Sequence, residues 1–89
     1  MTPHLAQIEA ERGTIYGDPE LSHENIGLCW TAMLQQHYGI RLDHPVPSFL
    51  VALMMTHMKA QRSARQFKAD NYDDLQIYAD FAKRFQPKP

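Results

Sequence analysis

The chain has 89 residues, 44% of them hydrophobic and 21% charged, with a net charge of −1 and one cysteine, Cys29. That balance describes one globular domain and argues against disorder, an intrachain disulfide, a cysteine-based zinc site and a general nucleic-acid surface. No apolar run approaches the roughly 18 residues that span a bilayer, no signal peptide is recognisable, and a reducing, cytoplasmic compartment is expected.

Helix punctuation occurs four times along the chain. Thr2-Pro3 sets a capping hydroxyl before a proline at a first helical position, and Gly13 reads as the stop of a short helix with Leu5 and Ile8 in its stripe. Thr14 to Ser22 reads as a loop, because Gly17, Asp18 and Pro19 are turn residues. A second helix, capped by Asp18 or Ser22, is expected to reach about Tyr38, with Gly39 as its left-handed stop. Ile26, Trp30, Met33, Leu34 and His37 recur along one face of it at helical spacing. Trp30, Tyr38, His37 and, on the next helix, His57 are expected in the core.

Ile40 to Ser48, with Pro45 and Pro47, predicts an extended connection. A third helix follows from Pro47 or Ser48 to Gln66. Its first half is apolar nearly all round, through Leu50, Val51, Leu53, Met54 and Met55, which predicts the central, most buried helix. Its second half turns basic: Lys59, Arg62, Arg65 and Lys68 fall between Thr56 and Ala69 with no acid among them. A fourth helix, capped by Asp70 or Asn71, should run to about Phe85. It carries one stripe through Leu75, Tyr78, Ala79, Ala82 and Phe85, and a second through Ile77 and Phe81. Two apolar faces exceed what one small core needs, so a homo-oligomer is expected. No alternating strand pattern competes. The expected fold class is all-α, a compact, self-associating bundle of about four helices in a single domain over residues 1–89.

Three groups of side chains carry chemistry. Glu20, His23 and Glu24 fall at i, i+3 and i+4 at the entry of the second helix; Asp70, Asp73 and Asp74 open the fourth. Lys59, Arg62 and Arg65 lie along the third between them. Carboxylates on two helices suit a hard cation such as Mg²⁺, and the basic helix suits phosphate. The plainer reading is local. Acids in a first turn complement the helix macrodipole, Asp70 makes an N-cap, and a Lys/Arg run is usually a solvated face. His23 beside Glu24 is a candidate ligand or proton carrier, and Tyr16 in its Gly/Asp/Pro loop is a candidate for stacking on a base.

Tyr16-Gly17-Asp18-Pro19, then Glu24, Ile26 and Trp30, Val51 to Met55, Lys59 and Arg62, and finally Asp70, Asp74 and Tyr78 resemble a small phage and prophage domain family of unknown function. That family is similar to nucleotide-modification-associated domains and, distantly, to the all-α nucleoside triphosphate pyrophosphohydrolases of the MazG type. The resemblance covers about residues 11–82. It implies a nucleotide-handling helical bundle, often oligomeric, with Glu24, Asp70 and Asp74 as Mg²⁺ ligands and Lys59 and Arg62 on the phosphates; the residues themselves add Arg65, on the same basic face, and Tyr16 as further nucleotide contacts. The chain departs from that pattern at Leu21 and Leu50, where the family carries acids, and has no intact paired E-x-x-E and E-x-x-D motifs. Fewer acids mean a weaker Mg²⁺ site.

Two functions follow from the resemblance: a Mg²⁺-dependent nucleotide pyrophosphohydrolase, or a nucleotide binder that has lost catalysis. A third is a small protein-interaction module, for example a phage inhibitor of a host protein, acting in the host cytoplasm. No membrane partner is expected.

Overall fold

Thr2 starts the first helix as its residue types require: the Thr2 hydroxyl accepts a hydrogen bond from the Leu5 amide at 3.2 Å, and Pro3 takes the first helical position. The structure, a computed structural model, describes residues 2–87, with the side chain of Tyr16 outside that description. Helix α1 spans Pro3–Tyr16, three residues past the expected stop at Gly13. Gly13 keeps helical geometry, and the Thr14 hydroxyl donates to the Ala10 carbonyl. The chain turns instead at Gly17, whose φ of 80° favours glycine. The expected Thr14–Ser22 loop therefore contracts to Gly17 and Asp18.

Asp18 caps α2 (Pro19–Tyr38), its carboxylate accepting from the Leu21 amide at 3.1 Å, and Pro19 is again first in the helix. Gly39 closes α2 in the left-handed region, as expected. The connection to α3 runs back across α2 at Gly27. A Cβ there would overlap the Val46 carbonyl oxygen and press on the Val51 side chain, so only glycine admits this crossing. Thr31 fastens it: its hydroxyl accepts from the Val46 amide at 2.8 Å and donates to the Gly27 carbonyl at 2.7 Å.

Helices α3 (Ser48–Arg65) and α4 (Ala69–Arg84) make the most extensive pairing, with α2 against α3 and α1 laid across α4 and α2. Neither Asp70 nor Asn71 caps α4. Lys68 takes the extended cap position, and Asp70 falls in the first turn, where its charge favours the amino-terminal dipole.

The core is a cluster of Leu5, Ala52, Ile77, Phe81, Ala82 and Phe85, with Ile8, Phe49 and Tyr78 packed on it. It belongs mainly to α4. On α3 only Val51 and Ala52 are buried, while Leu53 and Met54 stand in solvent, so the expectation that α3 is the most buried helix is corrected. Both stripes of α4 are used inside the chain, one member aside (Ala79 is exposed). Tyr38, His37 and His57, expected inside, are exposed, and Trp30 is half-buried. The architecture is all-α, four helices with no strand among the described residues. None of these helices is long and apolar enough to cross a membrane.

Candidate functional site

Leu5, Ile8 and Arg12 fall at i, i+3 and i+7 of α1, with Glu9 beside them, so the face that anchors α1 to the core also carries two charges inward. Both are matched across the fold. Arg84 donates to Glu9 at 2.7 Å and pairs with Asp80 at 3.0 Å. Arg12 pairs with Asp74, which also receives Lys59 Nζ at 2.8 Å. Asp74 is buried and thus bridges cations from α1 and α3. Burial alone would push its carboxyl up, but the hydrogen bonds of Lys59 and Arg12, with their charges, outweigh that and hold it below the usual carboxylate range. Two cations on one carboxylate leave one positive charge in excess.

Beside this network, α1, α2 and α4 enclose a cavity of about 230 Å³, with Met55 of α3 also in its wall. Ile26, Ile77, Tyr78 and Phe81 make it apolar, and Glu9 and Arg12 supply its charged edge. Gly17 and Pro19 border it as well, which brings the Tyr16–Pro19 element to the cavity.

His23 is the buried polar side chain in this wall, 6% exposed, next to the half-buried Ser22. Its ring centre lies 5.5 Å from Phe81, 5.6 Å from Phe85 and 5.9 Å from Tyr78, an edge-on aromatic cage. Its Nδ1 lies 2.7 Å from the Pro19 carbonyl oxygen. A carbonyl only accepts, so Nδ1 carries the proton in the neutral ring and Nε2 is left as a bare acceptor. That Nε2 is buried and has no hydrogen-bond partner among the described residues. Leaving a buried polar atom unpaired costs about 1–3 kcal/mol, and native folds rarely do so without a use for it.

The chain matches the family described as a domain of unknown function (DUF6378) over residues 4–86. It belongs to the DUF6378 family. The match reaches beyond the 11–82 region of the expected resemblance and takes in nearly all of α1, including Glu9. The family description carries no activity. No curated protein matches the chain, and no solved structure does.

In this DUF6378 domain the expected site residues separate. Lys59 and Asp74 come together, but as partners of each other. Glu24 and Asp70 are exposed, and neither enters an ion pair among the described residues. No group of three His, Cys, Asp or Glu side chains among those residues is placed to hold a metal ion, so the Glu24, Asp70 and Asp74 set expected for Mg²⁺ is not assembled. The donor set does not fit the ion. Arg62 and Arg65 point to solvent along the end of α3, Glu20 is exposed, and the side chain of Tyr16 lies outside the described residues.

Arg12 was not singled out by the sequence pattern. The available signal was a charged pair on the Leu5–Ile8 face, since a charge on the buried stripe of a helix needs a partner or a ligand. His23, grouped in sequence with Glu20 and Glu24, turns away from both. It follows the His23, Gly27, Thr31 line at i, i+4 and i+8, which is the buried side of α2.

Proposed function

We propose that this domain binds a nucleotide, placing the base in the cavity beside His23 and the anionic group at the mouth beside Arg12. The observation that carries this reading is the buried, unpartnered Nε2 of His23 in an aromatic wall. An apolar, aromatic-lined pocket with a few polar groups in its wall is the ordinary form of a site for a flat heterocycle. A ring N–H or an exocyclic amino group would supply the missing donor once the His23 ring, whose Nε2 is covered in the free fold, shifts to open that atom to the cavity.

Size narrows the ligand. Pockets for drug-sized molecules run from about 300 to 1,000 Å³, and 230 Å³ accommodates one ring system with the remainder outside. The Arg12, Lys59 and Asp74 group carries one positive charge in excess, against one negative in excess where Glu9 and Asp80 share Arg84, so an anion is favoured on the Arg12 side of the mouth. Arg12 is the accessible member, with its side chain 38% exposed, and its planar fork suits a phosphate.

The choice of nucleotide over other flat anions draws on the likeness of the Tyr16–Pro19 element and its companions to nucleotide-modification-associated and MazG-type domains. A phage or prophage setting, with action in a host cytoplasm, rests on that likeness alone. Hydrolysis is not carried forward, because the carboxylates that would hold Mg²⁺ stand apart and Lys59 is committed to Asp74.

Thermal unfolding against a panel of nucleosides, nucleoside monophosphates and nucleoside triphosphates tests the reading. A ligand at 100 times its Kd adds about 2.7 kcal/mol, a rise in Tm of about 10 °C or more for a domain of this size. His23→Phe keeps the aromatic packing and should abolish the shift. A melting point unchanged by every member of the panel contradicts the proposal.

A further inference from the structure

The apolar stripe of α2 does not end where its cover ends. His23, Ile26 and Gly27 lie against the rest of the fold, and the same face continues at helical spacing through Trp30, Met33, Leu34, His37 and Tyr38. Met33 is 62% exposed, Leu34 40% and Tyr38 65%. Large apolar side chains scattered singly on a surface are ordinary, but a contiguous stripe marks a contact.

We infer that this uncovered half of α2 is the interface with a second copy of the chain. Three observations favour a copy of itself. The first is area. A folded monomer of 10.3 kDa is expected to expose about 5,400 Å², and this chain exposes 6680 Å². The difference, about 1,300 Å² over the whole chain, leaves room for the roughly 800 Å² that each partner contributes to a stable interface of standard size. The second is shape. The radius of gyration is 14.3 Å with extents of 42 × 31 × 28 Å, against about 12 Å for a closed domain of this length. The chain is open in the way a protomer is open.

The third is charge. From Asn25 to Ile40 the sequence contains no Asp, Glu, Lys or Arg. A solvent-facing helix normally carries such residues, and interface centres are depleted of them while enriched in Met, Tyr and Trp. An uncharged patch is complementary to itself, and a net charge of −1 puts almost no repulsion between two copies. Two-fold pairing of one patch with its own image is the commonest closed assembly. The interface lies on α2, whereas the sequence pointed to a spare stripe on α4.

Sedimentation equilibrium across the micromolar range decides the matter. The wild-type chain should sediment at twice its 10.3 kDa mass. Leu34→Glu, alone or with Met33→Glu, should sediment as a monomer with unchanged helical circular dichroism. Phe67→Glu, at an exposed apolar residue away from the stripe, should leave the dimer intact. Should the α2 variants fail to fold, the unaltered protein still reports. Trp30 is the only tryptophan, and dilution should shift its emission to the red with the midpoint of dissociation. A wild-type monomer at every concentration, a dimer that survives the double substitution, or a Trp30 emission that ignores dissociation overturns the inference.

Discussion

The two halves of α2 present one stripe to two surroundings. From Pro19 to Thr31 its inner face meets the aromatic residues of α4, the edge of α1 and the returning chain at Val46; from Met33 to Tyr38 the apolar stripe meets water. In the first half the protein spends its specificity: a glycine that admits a crossing backbone, a threonine that fastens it, and a histidine with one nitrogen held and the other unpaired. In the second half there is apolar surface without such fittings. On the proposed reading the first surface takes a small molecule and the second another helix, although periodicity alone makes them equivalent.

The strongest way to break the first half is at the crossing. Gly27→Ala drives a methyl group into the Val46 carbonyl, and overpacking of that kind costs about 3 kcal/mol. Chemical denaturation should show it as a lower midpoint with unchanged slope. Asp74→Ala comes next. It leaves Lys59, whose side chain is only 14% exposed, and the more accessible Arg12 without their shared carboxylate, a loss of about 2 kcal/mol after allowing for solvent at Arg12.

The same pair carries a pH signature. The Asp74 carboxyl is depressed in the folded state, so its contribution is fully present above the unfolded value near 3.8. It is lost as pH falls through the lower, folded value. Wild-type stability should therefore drop on acidification in a step that Asp74→Asn, followed by the same acid titration, lacks. Thr31→Val removes the hydrogen bond that holds Val46 to α2, together with the hydroxyl's own bond to the Gly27 carbonyl, and should cost about 1–2 kcal/mol by denaturant melts. Smallest of all, Arg62→Ala and Arg65→Ala should change stability by no more than about 0.5 kcal/mol, as solvent-facing substitutions do.

What the sequence made legible was local. Thr2-Pro3, Asp18-Pro19 and Gly39 each announce a helix end through a hydroxyl, a carboxylate or a left-handed backbone acting within three residues, and each did so in the structure. Gly13 carried the same lettering without the same meaning, because a glycine permits a stop but only the demand for positive φ at Gly17 enforces one. On α4 the cap fell to Lys68, a residue with no capping chemistry, because packing against α3 rather than an N-cap side chain sets that helix's start.

The site shows the same limit more sharply. Lys59 and Asp74 were both conspicuous in the sequence, and the structure makes them partners of one another, since spacing within a helix fixes a face but not what the face meets. The partnership of Asp74 with Arg12 spans 62 residues and has no local signature. His23 was visible only as a member of an acidic group at i, i+3 and i+4, where a turn of the helix sends it inward and leaves Glu20 and Glu24 in solvent.

The most direct measurement is the ring-nitrogen NMR spectrum of His23, recorded free and during titration with the nucleotide panel. In the free protein Nδ1 should carry the proton and Nε2 should appear as a bare nitrogen. On titration the Nε2 resonance should move along a saturating isotherm as it gains a donor, while the exposed His37 and His57 stay in place. A free-state spectrum with the proton on Nε2, or an Nε2 resonance that no nucleotide moves, would contradict the assignment of this cavity as the binding site.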